Sequence, residues 1–186
     1  MEVEVAAYGW LGTDWASAYP EDLPEEWRLE YYANCYRAVI VPYRDWESQE
    51  EETLRVWLEE TPAEHAFYWE VAGGAPAGNL LRLYRARPEG VVPGGWLLAE
   101  PAEPGSEYQA LTSLAPIALC ESAGECRGEA FHTLCVAQDD TLREIRQRMD
   151  ACAREGVQQL LLVIMPSSGA AQQLQQLQTL SELYGG

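Results

Sequence analysis

The chain has 186 residues, of which 30 are acidic and 12 are basic, and its formal net charge is −18. This charge repels phosphate backbones and anionic lipids, which disfavours nucleic acid and membrane surfaces as partners. All 12 basic residues are arginine, so a lysine Schiff base, a catalytic lysine and a phosphate-loop lysine are excluded.

Helix signals occur in four segments. A cap, an early proline and a first-turn carboxylate at residues 22–25 predict a helix near residues 24–36. Residues 48–51 (Ser-Gln-Glu-Glu) and 141–144 (Thr-Leu-Arg-Glu) each have the pattern of a capping box that opens a helix. Gly156 is expected to end the second of these helices. A last helix is predicted near residues 169–183, with leucines on one face and glutamines on the other.

Short apolar or β-branched runs lie between these helices and predict strands at residues 3–7, 38–41, 66–71, 96–99, 116–119, 130–136 and 159–165. The run 159–165 shows no alternation, as expected for a strand buried on both faces. Residues 73–78 and 87–104 are rich in glycine and proline and are predicted to be long loops or an eroded insertion. Alternation of strands with helices predicts one α/β domain over residues 1–186 with a largely parallel sheet.

The N-terminal third resembles the domain-of-unknown-function-72 family, whose members have a TIM-barrel-like fold. The resemblance rests on Gly9-Trp10, Trp15, the run Tyr19-Pro20-Glu21, Leu23-Pro24, Trp27 and residues 29–33. It continues through Trp57, Thr61-Pro62 and Phe67, and residues 141–180 are similar to the family's closing unit. The resemblance implies a degenerate, shortened member of the family, whose barrel is incomplete or distorted.

The same resemblance implies that several polar positions at the strand ends are lost, which is where function lies in parallel β/α folds. A glutamate, an asparagine and a tyrosine of the family correspond to Ile40, Pro42 and Trp46, and a lysine corresponds to Glu70. An arginine-histidine region has become residues 133–135, and an Asn-Asn-Asp run has become residues 165–167. We therefore expect the family's scaffold without its reaction.

Five cysteines, at positions 35, 120, 126, 135 and 152, are scattered through the chain. Residues 1–7 have no positive n-region, so we expect a cytoplasmic protein with reduced thiols. The spacing Cys120-x5-Cys126-x5-His132-x2-Cys135 contains ligands that zinc accepts. However, His132 and Cys135 should point to opposite faces of one strand. We therefore favour buried or incidental cysteines and expect neither a metal nor a cofactor.

Two other groups of side chains are candidates for a site. Arg82, Arg85 and Arg87 could bind an anion. The favoured explanation of this basic segment is that its arginines form ion pairs with Glu or Asp within the chain. Asp14, Glu70 and Glu100 could meet at a cleft for acid–base chemistry, but no spacing singles out a pair. Nucleophile-elbow and phosphate-loop patterns are absent, and only His65 and His132 could serve as imidazole bases.

Aromatic residues are crowded into the first 36 positions, where most are expected to pack in the core or at its rim. Exposed ones beside carboxylates would make a protein-binding surface. The favoured hypothesis is a non-catalytic cytoplasmic protein that acts through contacts with a protein partner or as a homodimer. A weaker idea is that its negative charge mimics nucleic acid and blocks a basic partner.

The alternative hypothesis is a residual enzyme or a small-molecule binder. Its ligand would occupy a carboxylate-containing cleft at the C-terminal ends of the strands, which is the usual site in such folds. The residues expected to line this cleft are Trp10, Asp14, Tyr43, Glu70, Ser167 and Ser168.

Overall fold

The computed structural model describes residues 1–72, 77–86, 94–99, 115–122 and 125–184. The strands are β1 (Glu2–Tyr8), β2 (Ala38–Val41), β3 (Ala66–Ala72), β4 (Gly95–Ala99), β5 (Ile117–Ser122), β6 (Glu125–Arg127), β7 (His132–Val136) and β8 (Gln159–Ile164). The α-helices are α1 (Arg28–Cys35), α2 (Tyr43–Trp46), α3 (Glu51–Glu59), α4 (Ala77–Ala86), α5 (Leu142–Arg154) and α6 (Ala170–Tyr184). Two 3-10 helices, Thr13–Ala18 and Glu25–Trp27, precede α1.

The strands pair in chain order around a barrel, and β8 pairs with β1 to close it. In the described part of the chain, seven strands form the parallel sheet, and β6 bridges the seam between β5 and β7. It is three residues long, runs antiparallel to both neighbours and meets β7 at the single pair Arg127 and His132. The predicted α/β fold with a TIM-barrel-like but incomplete barrel is confirmed, because the parallel pairing is interrupted at this seam.

Side chains of alternate strand positions fill two layers, as strand geometry requires. The interior of the barrel combines the small Ala6, Ala38 and Ala118 with the large rings of Tyr68 and Phe131. The outer layer packs strand residues against the buried faces of the helices, including Leu29, Leu54, Ile145, Met149 and Leu174. Every residue of β8 after Gln159 is buried, which confirms a strand covered on both faces.

Local sequence signals predicted both ends of α5. Thr141 and Glu144 form the capping box before α5, and Gly156 follows this helix with a φ of 86°, a conformation that favours glycine. The box predicted at residues 48–51 is wrong, because α3 begins at Glu51 and has no side-chain cap. Ser48 instead lies in the turn that follows α2, where the Gln49 N–H donates to the Trp46 carbonyl.

The sequence patterns did not predict α2, α4 or β6. The first and last have only four and three residues, too few to show a periodicity. Helix α4 includes Gly78 and begins inside the predicted loop 73–78. The remainder of that loop, and most of the predicted loop 87–104, lie outside the described residues.

Two adjacent glycines allow the barrel interior to close at the start of β4. A Cβ atom on Gly94 would lie 2.7 Å from the Tyr68 ring, and one on Gly95 would lie 2.5 Å from the Phe131 ring. Real Cβ atoms do not approach other heavy atoms this closely. The absence of a side chain at these two positions therefore leaves room for the two large interior rings to pack.

The prediction of reduced thiols is wrong for two cysteines. Cys120 and Cys126 form a disulfide, because the antiparallel pairing of β5 with β6 places them directly opposite each other. The sequence analysis did not predict β6 and therefore could not foresee this pairing. The disulfide ties the short bridging strand to the parallel sheet.

No helix in the described ranges is both long and apolar enough to cross a membrane.

His65 lies just before β3, at the end of the barrel opposite the expected functional face, and is 3% exposed. Its Nδ1 lies 2.9 Å from the Tyr36 carbonyl oxygen, and burial lowers the pKa of His65 to about 4. The neutral ring is therefore a core group, not an exposed base.

This burial predicts a pH dependence of stability. Because the folded-state pKa is depressed, the neutral ring stabilises the fold above pH 6.5, and this contribution is lost as the pH falls towards 4. We expect the wild type to lose about 3 kcal/mol of unfolding free energy relative to His65→Gln between pH 7 and pH 4. Denaturant unfolding of both proteins measures this difference, and a difference that is independent of pH would contradict the prediction.

Candidate functional site

Glu70 lies near the C-terminal end of β3 and is the centre of the hydrogen bonding at this mouth of the barrel. Its Oε1 accepts a hydrogen bond of 2.8 Å from the Tyr8 hydroxyl, at the end of β1. Its Oε2 accepts one of 2.9 Å from the backbone N–H of Tyr43, the first residue of α2. Both carboxylate oxygens are thus bonded to donors of the scaffold.

The backbone of the same residue holds the other end of α2. The Trp46 indole Nε1 donates to the Glu70 carbonyl oxygen at 2.9 Å. The Trp46 ring is fully buried and packs edge-on against Trp69 and Tyr43. Glu70 therefore joins β1, β3 and α2, and its carboxylate satisfies a helix-start N–H that has no partner within the helix.

Burial keeps the proton on the Tyr8 hydroxyl beside Glu70. Burial, and then the hydrogen bond to the Glu70 carboxylate, raise the pKa of Tyr8 well above its ordinary value, so the phenol stays protonated and donates. Burial also raises the pKa of Asp45, although the Arg44 guanidinium, 3.4 Å away, opposes this. Tyr8 is thus a poor general base, because its hydroxyl keeps its proton and donates it in the hydrogen bond to Glu70.

The structure brings only part of the predicted cleft together. Tyr43 and Glu70 are in direct contact. Trp10 is buried, with its ring edge-on to Trp57 at 5.0 Å, and its carbonyl oxygen accepts from the Tyr19 hydroxyl. Asp14 is exposed on the 3-10 helix Thr13–Ala18.

The two serines follow β8. The Oγ of Ser167 is buried and has no hydrogen-bond partner in the described part of the chain. Ser168 is exposed, and its Oγ lies 3.5 Å from Gln138 Nε2. Among the described residues, no hydrogen bond joins Asp14 or either serine to Glu70, so a binding role for this set stays a prediction.

Three positions that the resemblance marked as lost polar groups have structural roles here. Ile40 belongs to the barrel interior, and Trp46 is fully buried. On β7, the Thr133 hydroxyl accepts the Cys126 backbone N–H at 2.6 Å and so belongs to the pairing at the seam. Packing and strand pairing thus account for these three side chains.

The fold does not bring together the four residues of the zinc-like spacing, Cys120, Cys126, His132 and Cys135. Cys120 and Cys126 are joined as a disulfide, which removes two of the four potential ligands. His132 and Cys135 stand three positions apart on β7, so their side chains point to opposite faces. Within the described ranges, no three His, Cys, Asp or Glu side chains are grouped so that they could hold a metal ion.

The arginine-rich segment lies on α4. Arg82 donates to the backbone carbonyls of Glu47 (2.5 Å) and Gln49 and to Asn79 Oδ1 (2.7 Å). The expected partners of Arg82, Glu or Asp carboxylates, are therefore wrong, because the turn after α2 presents its carbonyl oxygens to this helix. Arg85 is exposed, and Arg87 and Glu100 lie outside the described residues.

Tyr8 is the site residue that the sequence analysis missed. The available signal was its position as the last residue of a strand, in alternation with the interior residue Ala6. Its partner Glu70 was identified as a strand-end residue, but their pairing joins residues that are 62 positions apart. No local spacing reports such a contact.

The fold is shared with two solved structures of domain-of-unknown-function-72 family proteins. One, from Thermotoga maritima MSB8, has a TM-score of 0.56 and 13% identity, with 98% of this chain and 100% of that chain covered. Another, from Enterococcus faecalis V583, has a TM-score of 0.54 and 10% identity, with coverage of 96% and 97%. They confirm the predicted resemblance as a likeness of fold. No protein-family model and no curated protein matches this sequence.

The bonding of Glu70 predicts a structural cost for its removal. Because two hydrogen bonds to a charged group are lost, we expect Glu70→Ala to lower the unfolding free energy by roughly 2–4 kcal/mol. Glu70→Gln should cost less, because its amide can accept from Tyr43 N–H and donate to the Tyr8 hydroxyl. Urea unfolding measures both effects.

The matched control is Glu129→Ala, at an exposed loop position before β7, which should change stability by no more than about 0.5 kcal/mol. A Glu70→Ala protein as stable as the wild type would show that the carboxylate is not needed by the scaffold and is available for another role.

Proposed function

We propose that this protein is non-catalytic and acts through contacts with another protein, on a degenerate TIM-barrel-like scaffold. The observation that supports the proposal is the hydrogen bonding of the Glu70 carboxylate. Each oxygen of Glu70 accepts a hydrogen bond from the scaffold, one from the Tyr8 hydroxyl and one from the Tyr43 N–H, and these bonds fix the orientation of the carboxylate. The strand-end carboxylate is therefore engaged in holding the scaffold together.

The neighbouring strand ends support the same proposal. Ile40 and Trp46 are buried at positions where the resemblance implies polar groups in the family. Replacing a substrate-binding group by a packed apolar side chain removes a means of stabilising charge in a transition state. The cytoplasmic location expected from the sequence is part of this proposal, and it requires the Cys120–Cys126 disulfide to persist in a reducing compartment.

A second candidate, a small-molecule binder at this mouth, is favoured by one observation. The buried Oγ of Ser167 lies just after β8 and has no partner among the described residues. A buried hydroxyl without a partner costs free energy, and a ligand could supply that partner. The two candidates make opposite predictions about binding of metabolites.

A combined thermal-shift and capture experiment separates them. A small ligand at 100 times its Kd adds about 2.7 kcal/mol of stability, which raises the Tm of a chain of this size by roughly 5–10 °C. For a non-catalytic protein-binding scaffold we expect shifts below about 1 °C across a metabolite library. We also expect stoichiometric capture of a protein by the native, but not the heat-unfolded, chain.

A metabolite that raises the Tm by several degrees in the wild type but not in Ser167→Ala would contradict the proposal and support the second candidate. Turnover of any substrate that is lost in Glu70→Gln would also contradict it.

A further inference from the structure

We propose that the exposed aromatic side chains at the start of α1 form the docking surface for an arginine- or lysine-rich segment of a partner protein. We call the exposed Trp27 and Tyr31, together with the Tyr19 ring that contacts Tyr31, the aromatic patch. This inference rests on the proposed protein-binding function and names the surface and the chemistry of the partner.

Exposure is the first argument. Trp27 is 59% exposed and Tyr31 is 38% exposed, whereas the other tryptophans with described side chains are buried or half-buried. Trp27 immediately precedes α1 in helical conformation. The two residues are therefore one helical turn apart, and side chains at this spacing lie on the same face. Tryptophan and tyrosine are also the side chains most often found as binding hot spots.

Rigidity is the second argument. The Tyr31 ring lies edge-on to Tyr19, with 5.9 Å between the ring centroids. The Tyr19 hydroxyl donates to the Trp10 carbonyl oxygen at 2.8 Å, and Tyr19 itself is buried. Leu11, which follows Trp10, is also exposed. A partner would thus meet a Tyr31 ring that already packs against a fixed neighbour, which lowers the entropic cost of binding.

Charge identifies the partner's chemistry. Five exposed carboxylates occur in or beside the same segment, and within the described part of the chain none of them forms an ion pair: Glu21, Asp22, Glu25, Glu26 and Glu30. Exposed carboxylates close in sequence to exposed rings favour a cationic partner, because cations are attracted both to the charges and to the ring faces.

An internal contact illustrates this chemistry. The Arg28 guanidinium carbon lies 5.3 Å from the centroid of the Tyr19 ring, within the range of a cation–π interaction. The face of Trp27 offers the stronger site of the same kind, since tryptophan is the best aromatic partner for a cation. A second copy of this chain fits poorly, because it would place the same carboxylates against each other.

Fluorescence anisotropy with a labelled peptide of alternating arginine and glycine tests the proposal. The neutral comparison is the same peptide with citrulline in place of arginine. We expect saturable binding of the arginine peptide at moderate salt and at least about tenfold weaker binding to Trp27→Ala. The control Leu142→Ala, which truncates an exposed leucine on α5, should change the Kd by less than about twofold.

Trp27→Ala and Leu142→Ala leave the net charge of −18 unchanged, so they separate ring contacts from general attraction to an acidic protein. Equal binding to Trp27→Ala and the wild type would overturn the inference, as would absence of binding or equal binding of the citrulline peptide. A wild-type dimer in sedimentation that dissociates in Trp27→Ala would also overturn it, because the occupant would then be a second copy.

Capture from a lysate distinguishes this inference from the function on which it rests. Loss of the captured protein in Trp27→Ala, but not in Leu142→Ala, supports both. Capture that both variants retain overturns the docking surface and leaves the protein-binding function standing. A metabolite-specific thermal shift without protein capture removes both.

Discussion

One carboxylate organises the C-terminal mouth of this barrel. Glu70 accepts from the Tyr8 hydroxyl and the Tyr43 N–H, and its carbonyl oxygen accepts from the Trp46 indole. These three bonds join the end of β1 and both ends of α2 to β3. In many parallel β/α folds this is where a substrate binds, but here the scaffold supplies the partners.

On the opposite side of the barrel, a short antiparallel strand closes the sheet. The parallel sheet is interrupted between β5 and β7, and the gap is bridged by the short β6, which a disulfide ties to β5. The adjacent Gly94 and Gly95 at the start of β4 let the Tyr68 and Phe131 rings fill the interior. At 10–13% identity to two solved structures, the fold is maintained by volume and alternation in these layers, which many sequences satisfy.

Sequence patterns predicted the features that depend on residues close to each other in the chain. The run at residues 38–41 and the capping box at Thr141 are correct because strand alternation and cap hydrogen bonds involve residues close in sequence. The Glu70 network, the opposition of Cys120 and Cys126 and the carbonyl partners of Arg82 were not predicted. They depend on pairings between elements distant in the chain or on elements too short to show a period. The resemblance supplied the barrel, which composition and periodicity alone left as a parallel α/β sheet.

The most direct measurement of the central claim is amide hydrogen exchange at Tyr43, followed by NMR. The Tyr43 N–H is bonded to the Glu70 carboxylate, whereas the nearby Glu47 N–H is bonded to the Tyr43 carbonyl at 2.9 Å and serves as an internal reference. We predict that both amides exchange far more slowly than in an unstructured peptide. Exchange of Tyr43 at the unprotected rate, with Glu47 still protected, would show that the carboxylate is not held by the scaffold and would contradict the account.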